Sequence, residues 1–341
     1  MRSFWKIYRK KIYFICFSTL VFIGLFISIV LENNISKQSN KDINNAEDEI
    51  YNFLVIGQDD AANLCDVIVI VSYNTTNQRI EALQIPRDTY ASYTSSSYRK
   101  LNGAVHSLGG VENFIKFIED NLGIPIDYYL MTDLEAVTEA VDKIGGVEVD
   151  IPEDMVYNDP YQNLYINLKA GRHTLNGKQA TSFLRYRSGY VRGDIGRLDA
   201  QKIFIASLIK KVITDLSIYD MANLAMLFLD KVETNLKYND CLNFILQIKD
   251  IKMYNIAFST IPGEDVQTPS GAWYYIINRE QAYNIIKNYF SSELNETEFD
   301  KNKYFTSNYR DSFNEIYNAR DKYEIIRYKA NEICQNGINI D

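Results

Sequence analysis

Histidine is almost absent from this chain. Only His106 and His173 occur among 341 residues, and neither stands at a metal-ligand spacing. That argues against a histidine zinc site and against a Ser-His-Asp hydrolase. His173, in KAGRHTLNG, reads as a loop residue rather than a base. No GxxxxGK[ST], GxGxxG, HExxH or GxSxG stretch is present. Cysteine is scarce as well, with four in all. Cys16 lies in an apolar run. Cys65, Cys241 and Cys334 are far apart and odd in number. They form neither a disulfide framework nor a CxxC metal pattern, and read as free, mostly buried thiols. A surplus of basic residues is also missing: 36 Lys and Arg face 44 Asp and Glu, for a net charge of −8. No nucleic-acid partner is expected, which counts against a DNA-binding regulator. A local basic pocket stays open.

What is present begins with an uncharged run, IYFICFSTLVFIGLFISIVL, at residues 12–31. At about 1.5 Å per residue such a helix crosses the roughly 30 Å apolar core of a bilayer. Arg2, Lys6, Arg9, Lys10 and Lys11 precede it with no acidic residue. Positive flanks stay in the cytoplasm, so residues 1–11 read as a cytoplasmic tail and the rest as extracytoplasmic. A cleaved signal peptide would have a shorter apolar region and a small-residue cleavage site. ENNIS follows here instead, which favours an uncleaved anchor. Residues 32–50 are polar and read as a linker.

Three strands are predicted next, at 51–57, 66–73 and 79–85. The first two are almost continuously apolar, as central strands are. Helical spacing follows at 110–122, 132–144 and 199–215, with further helices at 219–230 and 239–249. Strands are predicted at 147–151 and 254–260. The interleaving predicts an α/β domain over 51–289, with helices packed on a sheet. Residues 290–341 read as a short helical tail with no role assigned.

The chemistry-bearing residues gather at strand ends. Asp59 and Asp60 follow the first strand and Asp66 opens the second. If these strands pair, their carboxylates suit a hard divalent ion. A solvated acidic turn is the competing reading. Pro86-Arg87-Asp88 ends the third strand, where proline fixes the exit of an arginine. An exposed Arg–Asp pair there would contribute little. The densest segment is RYRSGYVRGDIGRLDAQ at 185–201. On a strand Arg185 and Arg187 share a face, and on a helix Arg197 and Gln201 do. Guanidinium forks match phosphate oxygens, so converging arginines point to a phosphate or pyrophosphate site.

The order of segments resembles the LytR–CpsA–Psr family. The matching pieces are NFLVIGQDD, CDVIVIVSYNTTNQRIEALQIPRDTY, RKLNGAVHSLGG, LGIPIDYYLMTDLEAVTEAVDKIGGVEVDIP, KAGRHTLNGKQATSFLRYR and GDIGRLDAQ. They run in order over roughly 51–205, and TIPGEDVQ with WYYII follows them. The resemblance implies an α/β/α sandwich around a mixed central sheet, behind one N-terminal transmembrane helix. It implies a cell-membrane phosphotransferase of the envelope. Such proteins move an anionic glycopolymer, of teichoic acid or capsule type, from a polyprenyl-pyrophosphate carrier to peptidoglycan. The prenyl chain lies in an apolar groove between sheet and helices. Asp59 and Asp66 match the family's carboxylates for magnesium or manganese. Arg87, with Asp88 beside it, matches the PRD motif, and Arg185 and Arg187 match the RYR pair. Asp194, Arg197 and Gln201 match the GDxGRxxRQ stretch. Arg87, Asp88, Arg187 and Asp194 are thereby the catalytic candidates. Arg87, Arg185, Arg187, Arg192, Arg197 and Gln201 are the pyrophosphate ligands. Asp88 and Asp194 both stand as bases. The chain departs from the pattern at Asp60-Ala61-Ala62, at Leu64-Cys65, and at Ala200, where the family carries arginine. Arg192 is placed to compensate for one loss. A catalytically impaired lipid-pyrophosphate binder or scaffold is the alternative these departures leave.

Overall fold

The computed structural model describes residues 50–59, 64–91, 99–160, 164–190, 194–267, 271–291, 294 and 326–338, with Asp59 described by its backbone alone. The predicted tail, anchor and most of the linker, residues 1–49, lie outside the described residues, as do Asp60 and Arg192. Among the described residues no helix is long and apolar enough to cross a membrane.

The predicted opening strands form. They are β1 (Ile50–Asp59), β2 (Leu64–Asn74) and β3 (Arg79–Gln84). The turn between β2 and β3 closes on Asn74, whose side chain accepts from the backbone N–H of Thr76 and Asn77 at 3.0 Å. After these come a short helix α1 (Ala104–Ser107), α2 (Val111–Leu122), β4 (Tyr128–Thr132) and α3 (Leu134–Lys143). Four short strands follow: β5 (Val147–Ile151), β6 (Met155–Asp159), β7 (Leu164–Leu168) and β8 (Gly171–Leu175). Then come α4 (Gly177–Arg185), α5 (Asp194–Asp215), α6 (Ile218–Leu229), β9 (Glu233–Thr234) and α7 (Tyr238–Ile248). The chain ends with β10 (Ile256–Thr260), β11 (Gly263–Gln267), β12 (Trp273–Ile277), α8 (Arg279–Tyr289), β13 (Arg327–Lys329) and α9 (Ala330–Asn336).

Seven strands make the central sheet, in the order β13-β10-β3-β2-β1-β4-β9. The sheet is mixed. β1, β2 and β3 pair antiparallel, while β4 joins β1 and β10 joins β3 in parallel. Alternation sends Leu54, Ile70 and Leu83 to one face, all at 0% exposure, where residues of α2 and α8 close over them. Val55, Val69 and Gln84 point to the other face. There Ala82 and Phe258 join a second core with α4, α5 and α9. α7 also covers that face, where Phe244 meets Tyr51 and Phe53 edge-on at 5.2 and 5.1 Å.

Several local readings change. The long helix predicted from 199 starts at Asp194, so both Asp194 and Arg197 lie on its first turn. Arg185 and Arg187 do not share a strand. Asn176 and Gln179 form a capping box that starts α4, and Arg185 is that helix's last residue. Tyr186 is extended, so Arg187 leaves the helix. His173 lies in β8 rather than a loop, exposed. The C-terminal stretch holds a strand as well as a helix. β13 pairs with β10, and Arg327 makes a two-pronged contact with Glu81 at 2.6 and 3.0 Å. Arg79 also approaches Glu81, at 3.4 Å, and both guanidiniums lie over the Tyr289 ring.

Candidate active site

The Pro86-Arg87-Asp88 turn is gripped from three sides. The Thr89 hydroxyl donates back to Pro86 O at 2.6 Å. The Asn102 amide donates to Arg87 O at 3.0 Å, and the Tyr275 amide to Asp88 O at 2.9 Å. The LNG segment and β12 therefore fix the backbone from which Arg87 projects. Its Nη1 donates to Asp66 Oδ1 at 2.6 Å, and its Nη2 lies 3.8 Å from Asp194 Oδ1. Asp66 stands on β2 where a bulge shifts the register between Gly57 and Gln58. Asp59 pairs by its backbone with Leu64, at the same end of the β1–β2 pair.

Arg197 completes the cluster from α5. Its Nη2 donates to Asp194 Oδ2 at 3.2 Å. Asp194 Oδ1 lies 3.0 Å from the same nitrogen without hydrogen-bond alignment, so it keeps an unused acceptor. Negative charge on this first turn also suits the helix macrodipole. Arg197 is almost wholly buried, with its side chain 5% exposed. Burial holds its guanidinium below the ordinary arginine value. Asp194 and Asp66 oppose that shift, and Arg87 and Arg187 add to it. Burial works on Arg87 too, but Asp194 and Asp66 outweigh it and raise its value. Arg87 and Arg197 thus converge with Asp66 and Asp194, and the exposed Arg187 lies within electrostatic reach of Arg197. The Nε groups of Arg87 and Arg197 are buried without a hydrogen-bond partner. Each such donor costs about 1–3 kcal/mol, which favours an anion that draws the guanidiniums round it.

Asp88 adds to the charges that raise Arg87 and is paired with Lys100 at 3.0 Å. Gln201 is buried, and its Oε1 accepts from Gln84 Nε2 at 2.7 Å. Arg185 is half-buried at the end of α4. Arg192 and the Asp59 side chain lie outside the described residues. The sequence reading missed what supports the cluster from below. Lys202 bonds Asp199 at 2.8 Å and Thr260 Oγ1 at 2.7 Å, and both partners of the ion pair are 4% exposed. The i,i+3 spacing of Asp199 and Lys202 was the available signal. Cys65, beside Asp66, is buried and free. Burial, then the neighbouring Asp66, pushes its thiol up to about 12.

Of the two carboxylates read as cation ligands, Asp66 lies at the edge of the arginine cluster, 39% exposed with Oδ1 bonded to Arg87, and Asp59 is the last residue of β1, described by its backbone alone. Magnesium commonly takes one or two carboxylates and completes its shell with water and substrate phosphate. Among the described residues, no three His, Cys, Asp or Glu side chains group as a protein-only cage.

Comparison with known proteins completes the site's setting. The chain is 30% identical over 215 residues to the polyisoprenyl-teichoic acid–peptidoglycan teichoic acid transferase TagV of Bacillus subtilis, covering 62% of this chain and 55% of that one. It thus spans about half the length of that relative. It is 28% identical to the TagU transferase of the same description from Oceanobacillus iheyensis, over 69% of this chain and 73% of that one. The crystal structure of Bacillus subtilis TagV superposes with a TM-score of 0.63 and 26% identity, covering 74% of this chain and 98% of that one. The LytR_cpsA_psr family model matches residues 28–291, most of the chain, and this protein belongs to that family.

Proposed function

We propose that this protein transfers an anionic glycopolymer of teichoic acid type from a polyprenyl-pyrophosphate carrier to peptidoglycan, at the outer face of the cell membrane. The observation that carries this reading is the convergence of Arg87 and Arg197 with Asp66 and Asp194, within electrostatic reach of Arg187. The printed activity of the TagV and TagU relatives supports it. The apolar run at 12–31 supports a membrane anchor that keeps the domain near its lipid substrate. Val55, Val69 and Val71, half-buried on the sheet face that α7 covers, offer an apolar lining for a prenyl chain.

In this reading the acceptor hydroxyl attacks the phosphorus that bears the glycopolymer. The P–O bond within the pyrophosphate breaks, polyprenyl phosphate leaves, and a phosphodiester forms. Phosphoryl transfer demands positioning and charge neutralisation more than covalent chemistry. Arg87, Arg187 and Arg197 would bind the diphosphate and stabilise the charge on the leaving phosphate. Asp194 is the better-placed base, because its Oδ1 keeps an unused acceptor among the arginines while Asp88 is engaged by Lys100. Magnesium or manganese, held by Asp59 and Asp66, would neutralise further charge on the diphosphate.

One observation favours the alternative of a binder without turnover. Ala200, wholly buried, itself supplies no cation where the family carries arginine. Transfer of lipid-linked glycopolymer to peptidoglycan by the full chain in vesicles decides between them. Turnover that falls on the order of 10²- to 10³-fold in Arg197→Ala and in Arg87→Ala supports the transferase. Arg87→Lys recovers part of it, since lysine lacks the planar fork. Retention of the lipid without turnover supports the binder. Undiminished transfer in both arginine variants overturns the site.

A further inference from the structure

Nine consecutive residues of α5, Gly196 to Phe204, are buried, so this stretch meets protein on every side. A helix segment buried all round is ordinarily apolar. Here four of the nine are polar or charged: Arg197, Asp199, Gln201 and Lys202. Arg197 belongs to the site, and the other three are fastened to strand ends. Gln201 Oε1 accepts from Gln84 Nε2 at 2.7 Å, at the end of β3. Lys202 Nζ donates to Asp199 Oδ1 at 2.8 Å and to Thr260 Oγ1 at 2.7 Å, at the end of β10. Gln84 and Thr260 are register partners in the parallel pair, and the Ile261 amide donates to Gln84 O at 2.9 Å. Arg87 follows Gln84 by three residues. One turn of α5 is thus tied to two adjoining strand ends, one of which leads into the Pro86-Arg87-Asp88 turn.

We propose that Lys202, bridging Asp199 to Thr260, is a positioning residue that fixes the axial register of α5 and with it the placement of Asp194 and Arg197 against Arg87. The inference rests on the reading of that cluster as a diphosphate site. Apolar burial is non-directional and tolerates a small slide of a helix. A slide of one residue moves a helix by about 1.5 Å. Ammonium bonds of 2.7 and 2.8 Å do not survive it. Arg197 lies about 7.5 Å from Lys202 along the same axis, so the two move together. A misplacement of about 1 Å at a reacting centre costs on the order of 10²-fold in rate. A buried ion pair adds little net stability, because desolvation offsets its attraction, and fixing register is its best-attested use. Asp199 and Lys202, both 4% exposed, are such a pair.

The test separates register from stability. Asp199→Leu with Lys202→Met replaces the pair by apolar side chains, a change that is ordinarily neutral or stabilising. The full chain in phospholipid vesicles with magnesium is titrated with inorganic pyrophosphate by calorimetry, and its melting temperature and its transfer of lipid-linked glycopolymer are measured beside it. The double variant is expected to melt at or above the parent temperature, yet to bind pyrophosphate about tenfold more weakly and to transfer about tenfold or more slowly. Parent-like affinity and transfer in that variant overturn the proposal. Where the double variant melts below the parent, Thr260→Val and Thr260→Ser decide. Weaker pyrophosphate binding in Thr260→Val with parent affinity in Thr260→Ser supports the proposal, and equal affinity in the two overturns it. The pyrophosphate readout needs no turnover. A parent chain that binds pyrophosphate but transfers nothing overturns the proposed function alone, and one that binds none overturns the site and this inference with it.

Discussion

Leu54 and Val55 are neighbours in β1, yet they meet different surroundings. Leu54 is 0% exposed beneath α2 and α8, and its cross-strand partner Ile70 is equally closed. Val55 and its partner Val69 are only half-buried, on the face that α7 and the second core cover. The strand chemistry of the two faces is alike, and the helices above them differ. α2 places Phe114, Ile118 and Leu122 wholly into the first face. Burial on the first face stabilises the fold.

The largest effects on stability are expected on the closed side. Glu81 is 3% exposed and neutralises Arg327 and Arg79. Glu81→Ala leaves two half-buried guanidiniums facing each other over the Tyr289 ring and is expected to cost about 2–3 kcal/mol. Exchange of backbone amides in 326–338 would show β13 released from the sheet edge. Leu54→Ala stands with it, at about 2–5 kcal/mol for a large-to-small change in a closed core. Val55→Ala is expected to cost under about 1.5 kcal/mol, because its surroundings already tolerate exposure. Equal losses for the two, measured by denaturant unfolding, would erase the distinction between the faces. The smallest effect concerns Cys65 on the closed side. Its folded thiol is raised from 9.0 to about 12, chiefly by burial. The unfolded chain therefore loses this proton first, so the contribution is full below pH 9 and declines as pH rises toward 12. Alkylation of Cys65 at pH 9 is expected to run on the order of a hundredfold slower in the folded chain than in urea. Equal rates would show that strand β2 opens readily.

The same contrast explains what was legible in the sequence. The central strands announced themselves through apolar runs such as YNFLVIG and DVIVIVSY, and α2 and α3 through helical spacing. β13 did not, because RYK has no apolar alternation. It is held by pairing with β10 and by the contact of Arg327 with Glu81, 246 residues away in the chain. The short strands β6 and β7 were not read, although LYINL alternates with Leu164, Ile166 and Leu168 buried, because five residues carry too little pattern and Val156 and Tyr165 put apolar residues on exposed positions. In the site, Asp66, Arg87, Arg187, Asp194 and Arg197 were legible because they lie in ordered motifs at element ends. The grip of Lys100 on Asp88 and the bond from Gln84 to Gln201 were not, since no local spacing encodes contacts between distant segments.

The most direct test of the account fills the open face. Val55→Phe adds volume on the half-buried sheet face that α7 covers, and Leu54→Phe adds it one residue away in the closed core. The account expects Val55→Phe to keep its melting temperature and lose transfer of lipid-linked glycopolymer about tenfold or more, by occupying the prenyl chain's place. Leu54→Phe is expected to cost about 1–3 kcal/mol through overpacking. A Val55→Phe protein that melts as early as Leu54→Phe, or that transfers at the parent rate, would contradict it.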